Sequence, residues 1–149
     1  MRNLLQMNYW TIGGFEGKKP AAEALDDIKA MGLDGLELTY GVGEFARGIT
    51  EKQCRAIRAE ADRRGVRVAT VSPQFYWDKP LSDPRPAIRR ESIAFTRELL
   101  RVAAWVGAEA VLVLPGVVAV PWDASRPVVP YAEVWKNATA SIRACLNEA

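Results

Sequence analysis

Glu37 sits in the middle of the apolar run LDGLELTY (33–40). Strand alternation puts Gly35, Glu37 and Thr39 on one face and Leu36 and Leu38 on the other. The leucine face must meet helices, so Glu37 is expected to point inward, where an unpaired carboxylate is costly. There it either contacts substrate or a cation, or forms a structural ion pair with an interior Arg or Lys; the structural role is the expectation. A second kind of chemistry lies in aromatic loops. Tyr9, Trp10 and Phe15 follow one apolar run, Phe75, Tyr76 and Trp77 another, and Trp122 a third. Flat rings beside a polar cavity suit the apolar faces of a sugar; alternatively, the rings pack on one another.

Other chemistries are closed by residue type. The 149 residues contain no histidine, so neither Ser72 nor Ser82 can belong to a serine–histidine triad. GVGEFA (41–46) matches a dinucleotide-type glycine spacing. The helical pattern begins only after Thr50, however, and the next strand ends at Ser72 rather than at an acidic residue. It reads as a loop that needs glycine dihedrals. Cys54 and Cys145 each fall on the apolar stripe of an expected helix, which is buried-hydrophobe usage rather than a disulfide or a metal knuckle. That usage fits a reducing cytosol.

Twenty basic residues against eighteen acidic ones leave a net charge of +2, which offers no footprint for nucleic acid or an acidic membrane surface. Arg58, Arg63, Arg64 and Arg67 surround Gly65, but Glu60 and Asp62 sit among them, as on a solvated helix end. The opening segment lacks a signal-type apolar core, and no apolar run is long enough to span a bilayer. Cytoplasm is the expected location. The length predicts a single domain over residues 1–149.

The elements that position these residues repeat. MGLDGLELTY (31–40), RGVRVATVSP (64–73) and VGAEAVLVLP (106–115) each carry a helix end on Gly, a short turn and an apolar run. A first strand at about Gln6–Ile12 completes a set of four. Between them lie four amphipathic helices. The first carries Ala21, Ala24, Leu25, Ile28 and Met31, and the second Cys54, Ile57 and Ala61 behind a Thr50–Gln53 capping box. The third carries Ile88, Phe95, Leu99, Val102 and Val106. The fourth carries Tyr131, Val134, Trp135, Ala138, Ile142 and Cys145.

VRVATV (66–71) and VLVL (111–114) are apolar enough to be covered on both faces, as in a parallel sheet. The expected fold is therefore α/β of TIM-barrel type: a half-barrel of four sequential βα units with strand order 1-2-3-4. Such a quartet leaves a bare, greasy inner lining that needs a cover from outside. The tail ASIRACLNEA is in helical register to Ala149, so the chain is expected to stop in or after its fourth helix. A doubly wound fold would instead require a reversal of strand order.

Four stretches carry a family resemblance: MNYWTIGG (7–14), IKAMGLDGLELT (28–39), PLSDPRPAIRRESIAF (80–95) and VLVLPGVVAVPW (111–122). On these the chain resembles the amino-terminal half of the xylose isomerase-like TIM barrels, the sugar phosphate isomerase/epimerase superfamily, and most of all its ketose 3-epimerases. The resemblance implies a sugar or sugar phosphate substrate and a Mn²⁺ or Mg²⁺ ion in the complete barrel. In that family the metal is held by Glu, Asp and His from the last four strands, and paired carboxylates move a proton beside the carbonyl. None of those strands is in this sequence, so no catalytic or metal residue carries over. The partner implied is the missing carboxy-terminal half or a second copy. Substrate lining does carry over: Tyr9, Trp10, Pro115, Gly116 and Trp122, with Glu37 added from the strand pattern. The family often has His after strand three, where this chain reads Ser72-Pro73. A non-catalytic self-pairing half-barrel is the rival reading. An abasic-site endonuclease-type barrel is a third, but the zinc-binding histidines it would need are absent.

Overall fold

Four parallel strands lie side by side in chain order: β1 (Gln6–Asn8), β2 (Gly35–Tyr40), β3 (Thr70–Pro73) and β4 (Ala110–Val111). The computed structural model describes residues 3–146. The sequential order excludes the reversal that a doubly wound sheet requires. Two compact units divide the chain. Met1–Gln74 with Arg101–Leu112 forms the first, and Phe75–Leu100 with Val113–Ala149 the second.

The first unit holds the sheet, a short helix α1 (Tyr9–Gly13), α2 (Ala21–Ala30) and α3 (Glu51–Arg64). Alternation on β2 sorts the faces as expected: Leu36, Leu38 and Tyr40 are fully buried. Leu25 and Ile28 of α2, Cys54 of α3 and Val106 are buried as completely. Each such aliphatic side chain contributes about 1.5–3 kcal/mol by leaving water. Met31, counted on the α2 stripe, is instead 53% exposed because the helix ends at Ala30 and Met31 is already its cap.

Thr50 caps α3 through a complete capping box with Gln53. Gly65 ends α3 at φ 68°, a left-handed geometry that a Cβ would strain, and its amide returns to the carbonyls of Ala61 and Asp62. The arginines around it are paired. Arg58 meets Asp62 at 2.8 Å, Arg64 meets Asp26 at 2.7 Å and Glu60 at 2.5 Å, and Arg63 also reaches Glu60. The 41–46 segment is a tight loop, with the Gly41 amide donating to the Phe45 carbonyl, and α3 starts well after it.

Three strands differ from expectation. β1 stops at Asn8, not Ile12, because the Asn8 side chain caps α1 by accepting the Trp10 amide at 2.8 Å. β3 begins at Thr70; the Val66–Ala69 stretch before it makes a single bridge, Gly35 to Arg67. Val68, Ala69 and Val71 are nonetheless buried, which satisfies the two-sided cover expected there. β4 is only two residues long, and Leu112 just beyond it is 52% exposed, against the covered VLVL strand expected. As the last strand in the sheet order, β4 is covered along one edge only.

The second unit is built from α4 (Pro86–Val106), whose Pro86–Leu100 part belongs to it, and α5 (Tyr131–Arg143). Phe75 stacks on Phe95 at 4.2 Å between centroids, and the Tyr76 hydroxyl bonds to Thr96 Oγ1 at 2.7 Å. Burial on α5 follows Val134, Ala138 and Ser141, and Cys145 just beyond the helix is buried too. Tyr131 and Trp135 stack on each other on the exposed side, with Trp135 64% exposed, and Ile142 is exposed too. The expected stripe therefore turns away by part of a turn. Ser141 draws the helix inward, since its hydroxyl donates to the Leu81 carbonyl at 2.8 Å. α5 ends at Arg143, and the helical register expected for residues 147–149 lies outside the described residues.

Candidate functional site

In-register pairing of parallel strands lines up one polar side chain after another. Asn8 is paired with Glu37, and Thr39 with Ser72, so their side chains share a face with Gln6 and Thr70. They form a continuous network. The Asn8 amide donates to Glu37 Oε1 at 2.5 Å and to Ser72 Oγ at 2.8 Å. Its Oδ1 is committed to the Trp10 amide, which fixes which end of the side chain faces Glu37. The Thr70 hydroxyl donates to Glu37 Oε2 at 2.6 Å while accepting from Gln6 Nε2 at 2.7 Å. Thr39 Oγ1 lies 3.4 Å from Ser72 Oγ.

This face corrects the greasy lining expected of it. Over β1, β2 and β3 the lining is amide, hydroxyl and carboxylate, and by alternation it turns apolar at Leu112 beyond β4. The reason is the outward demand of the helical layer: the leucines of β2 face the side that α2 covers, which leaves the alternate positions free to be polar. Glu37 does point inward. It is held by neutral donors, Asn8 and Thr70, rather than by the Arg or Lys partner expected of a structural ion pair. A carboxylate has about four acceptor sites, so two hydrogen bonds leave room for a hydroxyl-bearing ligand. Two further polar atoms, Gln6 Oε1 and Trp10 Nε1, are buried with no partner among the described residues.

The aromatic residues of this unit are more structural. Tyr9 is buried on α1 and its hydroxyl donates to the Lys19 carbonyl. Burial, reinforced by the Glu44 carboxylate, pushes its phenol up. Trp10 is half-buried, with its ring 5.6 Å from that of Phe15. Glu37 and the Asn8–Trp10 segment are therefore joined through Asn8.

Pro115, Gly116 and Trp122 belong to the second unit. Pro115 is exposed. Gly116 is required by packing, since a Cβ there would come within 2.4 Å of Ser82 Oγ and 2.9 Å of Val134. Trp122 is 67% exposed and meets Trp77 edge-on at 4.8 Å. Phe75 and Tyr76 are packed inside the unit, which is the structural outcome for those two rings.

Sequence reasoning passed over Gln6, Asn8 and Thr70, and weighed Ser72 only as a triad serine and as the residue standing where the family often has His. The signal was there: QMN and TVSP each carry polar residues two apart around an apolar one, the mark of a polar strand face.

A divalent cation does not fit these groups. Among the described residues no three His, Cys, Asp or Glu side chains gather closely enough to hold one. The carboxylate of the cluster is already bound by an amide and a hydroxyl. No step through a metal is assigned to this chain.

Residues 25–149 match the family described as xylose isomerase-like TIM barrel. The chain belongs to that family.

This xylose isomerase-like chain finds no match among curated protein sequences. Among solved structures it is similar to D-psicose 3-epimerase from Clostridium cellulolyticum H10, solved with D-tagatose, at TM-score 0.74 and 18% identity over 96% of this chain and 47% of that one. A D-psicose 3-epimerase solved in the presence of D-fructose gives TM-score 0.73 and 17% identity, covering 96% and 48%. The 3-keto-D-glucoside 4-epimerase of E. coli gives TM-score 0.71 and 17% identity, covering 99% and 52%. At these identities the likeness establishes the fold, a partial TIM barrel. The chain spans about half the length of each of these structures. Among the described residues no helix is long and apolar enough to cross a membrane.

Proposed function

We propose that this chain supplies substrate lining to a sugar isomerase or epimerase, and that metal-dependent proton transfer beside a ketose carbonyl belongs to carboxylates outside it. The observation that carries the reading is the sheet-face network, in which Gln6, Asn8, Glu37, Thr39, Thr70 and Ser72 present donors and acceptors along one polar surface. Polyols are recognised by such groups when they are held rigidly, because each ordered side chain then loses little entropy on binding. The family supports the substrate class, and the half-length match supports a partner that completes the barrel. Mn²⁺ or Mg²⁺ would polarise the carbonyl and hydroxyl oxygens in that completed site. This chain's own contribution is to bind hydroxyls and to hold Glu37 in one orientation.

The polar lining gives less support to a self-pairing half-barrel. A two-fold pairing through this face would confront one Glu37 with another and bury little apolar area.

The reading is tested on the 149-residue chain with D-fructose and D-tagatose, in the presence and absence of Mn²⁺. Saturation-transfer NMR is expected to show weak ketose binding that Glu37→Leu reduces, and chromatography is expected to show no epimerised product. Absence of transfer to either ketose would overturn the lining role. Chelator-sensitive turnover would overturn the assignment of chemistry to residues elsewhere.

A further inference from the structure

The second unit encloses a cavity of about 480 Å³ between the turn leading into α4 and the 117–129 loop. Its walls are largely aliphatic: Val117, Val118, Val120 and Val129, with Pro80 and Pro127. The volume falls within the range of small-molecule sites, roughly 300–1,000 Å³, and the mixture of an apolar wall with a few polar groups is their usual chemistry.

Charge in the lining is unbalanced. Asp83 is buried, and Arg85 occupies both of its oxygens, with Nε at 2.9 Å from Oδ1 and Nη2 at 2.8 Å from Oδ2. The Arg85 backbone amide adds a third bond at 2.9 Å. These bonds hold the Asp83 carboxyl below the usual carboxylate range, so the pair is internally neutral. Arg126 is the second guanidinium. Its Nη1 donates to the Trp77 carbonyl, while Nε and Nη2 have no partner among the described residues. The nearby carboxylate of Asp123 lies outside the lining and accepts from the Ser125 amide at 3.1 Å and hydroxyl at 2.6 Å; the Arg126 charge acts on it and on Asp83 through space, with no hydrogen bond to either among the described residues. α4 begins at Pro86, immediately after Arg85, and the start of a long helix adds positive potential at that end.

An inorganic ion would leave the valine wall in contact with water, and a neutral apolar guest would leave the open edge of Arg126 unused. We infer that the cavity binds a small organic anion, its apolar body against the valines and its carboxylate or phosphate on the free edge of Arg126. None of these residues belongs to the sheet-face network, so the site is independent of the function proposed above.

The test is amide chemical-shift titration of the full chain with benzoate, phenyl phosphate, benzyl alcohol and inorganic phosphate. Benzoate or phenyl phosphate is expected to shift residues 82–85 and 117–129 saturably, and whichever binds tighter identifies the natural headgroup. Benzyl alcohol is expected to bind about tenfold more weakly, the scale of one charge-assisted hydrogen bond. Arg126→Gln should weaken both anions about tenfold and leave the alcohol unchanged. Val118→Asp, which does not touch the Arg126–Trp77 bond, should weaken them likewise through repulsion. Equal affinity for alcohol and anions, unaltered affinity in both variants, shifts confined to other residues, or no saturable shift would each overturn the site. Inorganic phosphate binding as tightly as phenyl phosphate would overturn the role of the apolar wall.

Discussion

Replacing Thr70 by Val removes one hydroxyl and keeps the β-branched shape that a strand favours. That hydroxyl is a hinge of the sheet-face network, donating to Glu37 Oε2 at 2.6 Å and accepting from Gln6 Nε2 at 2.7 Å. Loss of a hydrogen bond to a charged acceptor is worth about 1.5–3 kcal/mol. Gln6 would lose its remaining partner as well, because its Oε1 is already unpaired, which adds about 1 kcal/mol. Both residues are half-buried, and water recovers part of the loss, so the expected destabilisation is about 2–3 kcal/mol. With a urea m-value of about 2 kcal/mol per molar, the unfolding midpoint should fall by about 1 M. Thr70→Ser, which retains the hydroxyl, should lose far less. The decisive measurement is a double-mutant cycle with Glu37→Leu. Removing both partners leaves neither unsatisfied, so the double variant should be more stable than the sum of single losses by about 1.5 kcal/mol or more. Additive losses would refute the claim that Thr70 holds Glu37, and the network would then be no more than coincident side chains.

Two further outcomes follow from the same kind of accounting. Thr50→Ala removes the side-chain half of the α3 capping box and should cost about 1 kcal/mol in urea unfolding; a loss near zero would show that the cap is not formed in solution. Asp83 is held below its ordinary value of 3.8, first by its hydrogen bond to Arg85, so its stabilisation is present above the unfolded value and disappears as pH falls through the lower folded one. Stability should therefore decline on acidification below about pH 4, and Asp83→Asn should flatten that decline; an unchanged acid slope would contradict the pairing.

Much of the fold was legible in the chain because it rests on local chemistry. Glycine just past the ends of α2, α3 and α4, a Thr-x-x-Gln start and an apolar stripe at helical spacing are short-range signals. They led to α2, α3, α4 and the βα repeat, and hence to the parallel order 1-2-3-4. The first strand was read too long for an equally local reason: one Asn can cap a helix, and periodicity does not reveal that it will. On α5 the apolar side chains outnumber those a single stripe needs. Only packing decides whether Val134 and Ala138 or Tyr131 and Trp135 turn inward.

The candidate site divides in the same way. Alternation alone sent Glu37 to the inner face, since Leu36 and Leu38 flank it in sequence. Its partners come from strands about thirty residues away on either side, and register fixes them: Asn8 opposite Glu37, Ser72 opposite Thr39. Whether an inward carboxylate meets a cation, a substrate or a neutral amide is a question of distances of 2.5 to 2.8 Å. Periodicity cannot supply those distances, because the same pattern is compatible with every register. The sequence by itself determined the family and the facing of β2, because both are written in residue order. The tertiary structure decided that the lining is polar and that Arg126 keeps an open edge beside a valine-walled cavity, because hydrogen-bond partners and empty volume exist only once distant segments are brought together.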